Sequence, residues 1–399
     1  MGLEISNVSG DISKDNPLKI KFLSKLDANE LLVPIGYDKE SGLYIPLGYA
    51  NTEGEVLINV LPSPSPSTER AVGAAFKIFL KKMFVKPLTG EFEYPALEAV
   101  DFTDNPEVFT YNKDKASLKS KVAKAKKIVM FIHGFAGSTS ELPKSLRRNI
   151  ATGGKNMKDN YDLALTFNYE SINTPIEKTA EMLEAKLAEV GLKAGHGKQF
   201  DIVAHSMGGL VSRWYIERLS GKNVVSQLVM LGTPNAGSAI PGLHENIRVL
   251  LTMIINGVPF LSAWATPISW LGKAVDTALV TVKQQVPNSP FFQQLNASPD
   301  AGVPYRIVVG NTKLLLTPEK DVEGTFRKIY EHFKSRKMYA VSDTFFGEDN
   351  DMVVPDASIG SAGGQKNLKI EVIPSHHFCY FIPEADGLKV LSAFMSREE

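Results

Sequence analysis

The chain has a single cysteine, Cys379, among its 399 residues. That excludes an internal disulfide framework and any metal site built on paired thiolates, and it fits a reducing compartment. An excess of charge is lacking too, since 44 Lys and Arg stand against 44 Asp and Glu. Balanced charge gives no reason to expect nucleic acid or an anionic membrane as partner, and a neutral small molecule is the expected one. No run of eighteen apolar residues occurs, so no transmembrane helix is expected. The opening Met1-Gly2-Leu3-Glu4-Ile5-Ser6 lacks the basic and apolar regions of a secretory signal, and cytoplasmic location is the resulting expectation. Repeats of solenoid period are absent, and no residue pattern calls for a cofactor or a bound metal.

What is present is most informative at Ala204-His205-Ser206-Met207-Gly208, followed by Gly209. The apolar run Phe200-Asp201-Ile202-Val203 before it reads as a buried strand, and Gly209 to Leu219 reads as a helix. A serine at the apex of a sharp strand-to-helix turn presents its hydroxyl clear of the sheet, which is the setting of the G-x-S-x-G nucleophile elbow. Small residues are needed around the serine because the backbone is strained there and the helix packs close to the strand. Gly208 and Gly209 supply them on the helix side, and Ala204 replaces the first glycine on the strand side. Ser206 is the candidate nucleophile. An ordinary serine N-cap is the plainer alternative.

Organisation along the chain falls into two parts. Glu30 to Tyr37, Leu43 to Ala50 and Val56 to Leu61 are short β-like runs separated by turn-rich stretches, a small meander. The proline-rich Pro62 to Ser67 then suits a linker. Thr68 to Val85 carries Val72, Ala75, Phe76, Phe79, Leu80 and Met83 at helical spacing, which predicts a helix. From Lys126 strands alternate with helices: Ile128 to Ile132, Leu163 to Asn168, Phe200 to Ala204, Val225 to Leu231 and Tyr305 to Val309. Alternation of this kind implies a mostly parallel, doubly wound α/β sheet covered on both faces. Between the second and third strands, Thr174, Pro175 and Glu177 have the spacing of a helix start with a capping box. Residues 1–125 are thus expected to form a β-rich N-terminal domain with a helix, and residues 126–399 an α/β domain with an apolar helical insertion at about 238–300.

A serine hydroxyl needs a base, usually a histidine oriented by a carboxylate. Downstream of the elbow, His332, His376 and His377 are the histidines placed to serve, His332 in a charged helical stretch and the other two after the strand-like Leu368 to Ile373. Acidic candidates are Asp343, Asp349 and Asp351. From about Lys126 to the C-terminus the chain resembles an α/β-hydrolase of the lipase and carboxylesterase type. The resemblance rests on the A-H-S-M-G elbow and on Phe131-Ile132-His133-Gly134-Phe135-Ala136-Gly137-Ser138, which is similar to that family's His-Gly loop. It rests further on Gly232-Thr233-Pro234-Asn235-Ala236-Gly237-Ser238, with Asn235 where the family has histidine, on Asp351-Met352-Val353-Val354-Pro355-x-x-Ser358, on His377-Phe378-x-Tyr380-Phe381, and on Ser289 to Asn296.

The resemblance implies Asp351 as the acid and His377 as the base, with Phe135 and Met207 supplying the backbone N–H groups of an oxyanion hole. His133 would brace its loop, Gly134 would let the backbone approach substrate, and the insertion would form a lid with Trp264 as a substrate contact. The implied activity is that of a serine hydrolase cleaving carboxylic esters, with a small-molecule or lipid ester as substrate, no cofactor, and transient lipid-surface contact through the lid. The same chemistry would serve a deacylase of amides, thioesters or lipidated proteins. A lipase-like binding module with an occluded site is the reading from a different class.

Overall fold

Short β-branched and aromatic runs closed by turns have little choice but to pair with one another, and in the N-terminal part they form two small antiparallel sheets. The computed structural model describes residues 2–5, 12, 16–21, 30–38, 41–50, 55–58, 76–84, 94–105, 108–135, 137–140, 142–147, 156–238, 252, 255–256, 280–315, 328, 349–351, 353–381 and 386–396. Strands β1 (Gly2–Ile5), β2 (Leu18–Lys21), β3 (Glu30–Asp38), β4 (Leu43–Pro46), β5 (Gly48–Ala50), β6 (Glu55–Ile58) and β7 (Phe76–Phe84) come first. One sheet has the order β1-β7-β3-β4 and the other β2-β6-β5. The expected strand Leu43 to Ala50 is therefore divided at Leu47, whose N–H donates to the Pro34 carbonyl at 2.8 Å.

The helix expected over Thr68 to Val85 is corrected by the structure. Residues 68–75 lie outside the described residues, and Phe76–Phe84 is a strand. Its apolar residues also fit a period of two, with Phe76, Ile78 and Leu80 alternating against Lys77, Phe79 and Lys81. Pairing to β1 on one side and β3 on the other gives its backbone partners on both edges, and that long-range pairing outweighs the local helical spacing.

The large sheet is built from β8 (Ala96–Phe102), β9 (Phe109–Asn112), β10 (Lys127–Ile132), β11 (Leu163–Asn168), β12 (Gln199–His205), β13 (Gln227–Leu231), β14 (Tyr305–Gly310) and β15 (Leu368–Ile373). Their spatial order is β9-β8-β11-β10-β12-β13-β14-β15. From β11 to β15 every pairing is parallel, while β8 runs antiparallel to β11 and β9 antiparallel to β8. This is an α/β-hydrolase fold. Strands β11 and β13 are buried at every position, which is why they read as continuous apolar runs: a parallel sheet has a covered face on each side.

Two cores result. Ile128, Met130 and Ile132 of β10 face α2 (Ile176–Glu189) and α3 (Met207–Arg218), while Val129 and Phe131 face the short helix Leu142–Leu146 and the C-terminal helix Asp386–Ser396. Helix α2 buries Ile176, Ala180, Leu183 and Leu187 along one stripe, as the sequence spacing predicts. Its start differs from the expected capping box. Thr174 Oγ1 donates to Glu170, whose carboxylate also accepts the N–H groups of Ile172, Asn173 and Thr174, and Ile176 N–H donates to Gln284 Oε1. Glu170 thus ties down the turn before the helix and takes the Thr174 hydroxyl, while the first helical N–H, that of Ile176, is satisfied by Gln284.

The domain break also differs from the one expected at residue 125. Met1–Glu91 falls in one compact unit, and Phe92–Ile240, Ala278–Lys320 and Asp343–Glu399 form another. Residues 96–124 belong with the large sheet because β8 pairs with β11, and α1 (Lys115–Lys124) packs Leu118 and Val122 into its core. Of the expected lid, residues 239–251, 253–254 and 257–279, Trp264 among them, lie outside the described residues. Its described end holds α4 (Val280–Gln284) and α5 (Pro290–Asn296), the latter N-capped by Ser289. Among the described residues no helix is long and apolar enough to cross a membrane.

The packing of α2 is directly testable. Leu183 is fully buried between that helix and the sheet, so Leu183→Ala is expected to lower unfolding free energy by about 2–5 kcal/mol in urea denaturation. A loss below about 1 kcal/mol would contradict the placement of this stripe.

Candidate active site

Ser206 follows β12 and stands at the N-cap position of α3 without a side-chain cap bond, and the chain reverses there so tightly that Ser206 takes φ 52° and ψ −129°. Such a conformation costs on the order of 1–3 kcal/mol for a residue with a side chain, and the surroundings must hold it in place. They do so through the backbone: Ser206 N–H donates to the Leu231 carbonyl of the adjacent strand at 2.9 Å, and Gly209 N–H donates to the Ser206 carbonyl at 2.9 Å. The glycines around the turn are there because nothing larger fits. A Cβ on Gly208 would stand 2.5 Å from the His133 carbonyl oxygen, and one on Gly209 would meet Thr233 at 2.0 Å. Ala204 on the strand side is completely buried in the core that faces α3.

His377 follows β15 on the loop beginning at Pro374, and the fold returns it to the elbow. Its Nε2 is 2.9 Å from Ser206 Oγ, and its Nδ1 is 2.7 Å from Asp351 Oδ2. A carboxylate oxygen only accepts, so Nδ1 carries the proton and Nε2 is left with its lone pair toward the serine. His376 turns away from Ser206: its Nε2 meets Cys379 Sγ at 2.6 Å, and burial lowers its pKa to about 3. Asp351 is fully buried. Its Oδ1 accepts the N–H groups of Val353 at 3.0 Å and Val354 at 2.8 Å, and its Oδ2 accepts the Tyr380 hydroxyl at 2.9 Å besides His377. Asp349 is exposed and pairs with Lys313 at 2.6 Å, which holds its carboxyl low. His332 and Asp343 lie outside the described residues.

The His-Gly loop approaches the serine from the end of β10. Gly134 lies so near that a Cβ there would stand 2.6 Å from Ser206 Cβ. His133 is buried and stacked on Tyr169 with ring centroids 4.3 Å apart. It receives the Tyr169 N–H at Nε2, donates Nδ1–H to the Gly134 carbonyl at 2.8 Å, and accepts the Tyr169 hydroxyl on its own carbonyl. Desolvation by burial lowers its pKa to about 4, so it is neutral at physiological pH. Met207 is the first residue of α3 and its N–H has no intrahelical acceptor. Phe135 N–H has no backbone acceptor among the described residues.

Three contributors escaped the sequence reading. Tyr380 accepts the Gly310 N–H at 2.8 Å and donates its own O–H to Asp351, tying the histidine loop to β14. It stands in the His-Phe-x-Tyr-Phe pattern, which was the available signal. His205, beside the nucleophile, donates Nε2–H to the His377 carbonyl at 2.8 Å, and burial lowers its pKa to about 3. Gly232 (φ 63°) leaves room that a Cβ would take from Asp351 Oδ2, at 2.9 Å.

Asn235, the departure from the family's histidine, also has a local explanation. It accepts from the fully buried Arg213 of α3 on both its carbonyl and side-chain oxygens at 3.3 and 3.2 Å, and donates to the Ile359 carbonyl at 2.8 Å. After β14 comes the short helix α6 (Thr312–Leu315), and Ile359 ends α7 (Asp356–Ile359), the turn of helix that follows the Asp351 loop. Ser238 Oγ donates to the Val353 carbonyl and Ser358 Oγ to the Gly237 carbonyl. The helix behind Ser206 and the loop holding Asp351 are thus joined through residues 235–238.

Buried neutral histidines carry a pH consequence. His133, His205 and His376 have folded-state pKa values of about 4, 3 and 3, against 6.5 in an unfolded chain. Between those limits the unfolded chain binds more protons, so stability is full above pH 6.5 and falls as pH drops toward 4. Urea denaturation at stepped pH is expected to show this decline, and a profile flat from pH 7 to pH 4 would contradict the neutral, buried assignment.

Among solved structures, the chain is similar to a lipase of Bacillus licheniformis in mature form, with 19% identity over 69% of this chain and 92% of that one, at a TM-score of 0.43. A carboxylesterase structure from Nitrososphaera gargenis matches at 12% identity over 69% and 91% with a TM-score of 0.39. A monoacylglycerol lipase of Paleococcus ferrophilus matches at 12% over 68% and 95% with a TM-score of 0.38. A family model spans residues 96–383, which takes in β8, the elbow, Asp351 and His377. The chain therefore belongs to the family described as Domain of unknown function (DUF7379).

Proposed function

We propose that this protein is a serine hydrolase of carboxylic esters, an esterase or lipase that works through an acyl-enzyme on Ser206. The observation that carries this reading is the unbroken line of hydrogen bonds from Ser206 Oγ through His377 to Asp351, at 2.9 and 2.7 Å, with the serine held at φ 52°. A strained serine joined to a histidine whose proton is fixed on the far nitrogen is arranged to lose its own proton as it attacks.

In the proposed reaction Ser206 Oγ adds to the ester carbonyl carbon while its proton passes to His377 Nε2. Asp351 stabilises the imidazolium and stays ionised, since two backbone N–H groups and the Tyr380 hydroxyl hold its charge. The carbonyl oxygen becomes an oxyanion facing the N–H groups of Met207 and Phe135, each worth roughly 3 kcal/mol to the transition state. Collapse breaks the bond to the alcohol oxygen, which leaves with the proton from Nε2. Water then gives its proton to the same nitrogen, attacks the acyl carbon, and returns Ser206 with release of the carboxylic acid. His133 serves as a support of the oxyanion loop, and Gly134 and Trp264 are assigned to substrate binding. A thioester or amide would follow the same path with a different leaving group, and hydrolysis of short and long p-nitrophenyl esters beside an acyl thioester would separate these substrates.

A fluorophosphonate probe is expected to label Ser206, and Ser206→Ala to abolish both labelling and p-nitrophenyl ester hydrolysis. His377→Ala is expected to lower kcat by several powers of ten, with His376→Ala far milder. Lack of labelling in folded wild-type protein, or an inverse ranking of the two histidine variants, would overturn the assignment.

A further inference from the structure

Strand β15 ends the large sheet with one side unpaired among the described residues. Its direction toward β14 fixes which backbone groups are free. The carbonyls of Asn367 and Ile373 accept N–H groups from Tyr305 and Asn311, on and beside β14, so the odd-numbered residues point their polar backbone inward. Neighbouring residues of a strand point opposite ways. Ile370 and Val372 therefore offer their N–H and C=O groups outward, and Leu368 its C=O, the Leu368 N–H donating to the Lys366 carbonyl at 3.0 Å. A free edge of this kind is a template for another strand, and proteins usually blunt it.

The side chains here do not blunt it. Ile370 is 42% and Val372 53% exposed, unusual for large aliphatic residues, and they share one face of the strand. Lys369 and Glu371 lie exposed on the other face, with Lys369 Nζ 5.8 Å from the Phe394 ring. The sequence Leu368-Lys369-Ile370-Glu371-Val372 is complementary to itself when reversed about Ile370. Lysine then falls opposite glutamate on both sides of the centre, and leucine opposite valine.

We propose that β15 is a dimerisation edge: two copies of this chain join antiparallel about a two-fold axis through Ile370, making one continuous sheet of the two large sheets. Residue 370 faces 370, and 368 faces 372 twice. The central 370–370 pair exchanges two N–H···O bonds through free groups, and in each 368–372 pair the Val372 N–H donates to the Leu368 carbonyl while the Leu368 N–H stays with Lys366. Lys369 faces Glu371 of the other copy at the closer, non-hydrogen-bonded positions, where Cα atoms stand about 4.5 Å apart and side chains meet most directly. Ile370 and Val372 gain apolar neighbours across the axis. The contact is isologous and closes on itself, which leaves no further edge at this end of the sheet for a third copy.

Sedimentation velocity on the full chain at tens of micromolar tests this, with wild type expected at twice the protomer mass of 43.7 kDa. Lys369→Glu and Glu371→Lys each place like charges opposite one another twice and are expected to give monomer. The double variant Lys369→Glu/Glu371→Lys restores opposite signs in the same register and is expected to return the dimer. Because it keeps both changes, it is also the control for folding. Ile370→Cys on the axis is expected to yield a disulfide-linked dimer on oxidation, its Cα separation of about 5.5 Å being within disulfide range, whereas the parent chain with Cys379 alone does not cross-link. A monomeric wild type, a dimer indifferent to either single reversal, a double variant that stays monomeric, or an Ile370→Cys that fails to cross-link would each overturn the proposal.

Discussion

The buried carboxylate of Asp351 is the charge around which the site is arranged. A lone ionised group in that position would be costly, and it is made tolerable by four donors: two backbone N–H groups of its own loop, the Tyr380 hydroxyl and His377 Nδ1–H. Each donor has a structural effect beyond neutralising charge. The two valine N–H groups curl the loop 351–354, Tyr380 anchors it to β14 through Gly310, and the histidine bond sets the tautomer that presents Nε2 to Ser206. His377 N–H in turn donates to the Asp351 carbonyl at 2.8 Å, so backbone and side chain fix the same pair twice.

The second constraint is crowding at the elbow. Ser206 occupies a left-handed conformation because β12, α3 and the loop after β10 converge on a space that admits no extra carbon at Gly134, Gly208 or Gly209. Crowding and strain work together. The Gly134 loop comes close beside the serine, and the tight turn sets Met207 directly after it as the first residue of α3. In the proposed ester hydrolysis these same close approaches create the oxyanion site, so the glycines bear on chemistry as well as packing.

Legibility in the sequence followed the range of the forces involved. The β11 strand was visible to the residue and β10, β12 and α2 nearly so, because a parallel sheet buried on both faces must be written as continuous apolar runs with an apolar stripe on each covering helix. The helix expected at Phe76–Phe84 failed because its residues satisfy both periods, and only partners distant in sequence decide between them. Thr174 failed as a cap for a related reason: the charged Glu170 carboxylate draws its hydroxyl away from the helix, and Gln284, distant in sequence, takes the Ile176 N–H. Residues 96–124 looked like an appendage of the N-terminal part, and pairing of β8 with β11 across more than sixty positions made them part of the large sheet.

By itself the sequence determined the doubly wound sheet, the strand-turn-helix around Ser206 and a short set of acids and histidines for the site, since these depend on local periodicity, on glycine where a Cβ has no room, and on residue chemistry. For the pairing within that set the sequence offered a family resemblance only, and tertiary structure decided which members meet. His377 and Asp351 are 171 and 145 positions from Ser206 in the chain, and adjacent His376 differs from His377 only in the side of the loop on which it lies. Such choices rest on loop direction and on contacts from Tyr380, His205 and Gly232, each from a different segment of the fold. A linear pattern carries no record of those distances, because they come into being only when the strands align.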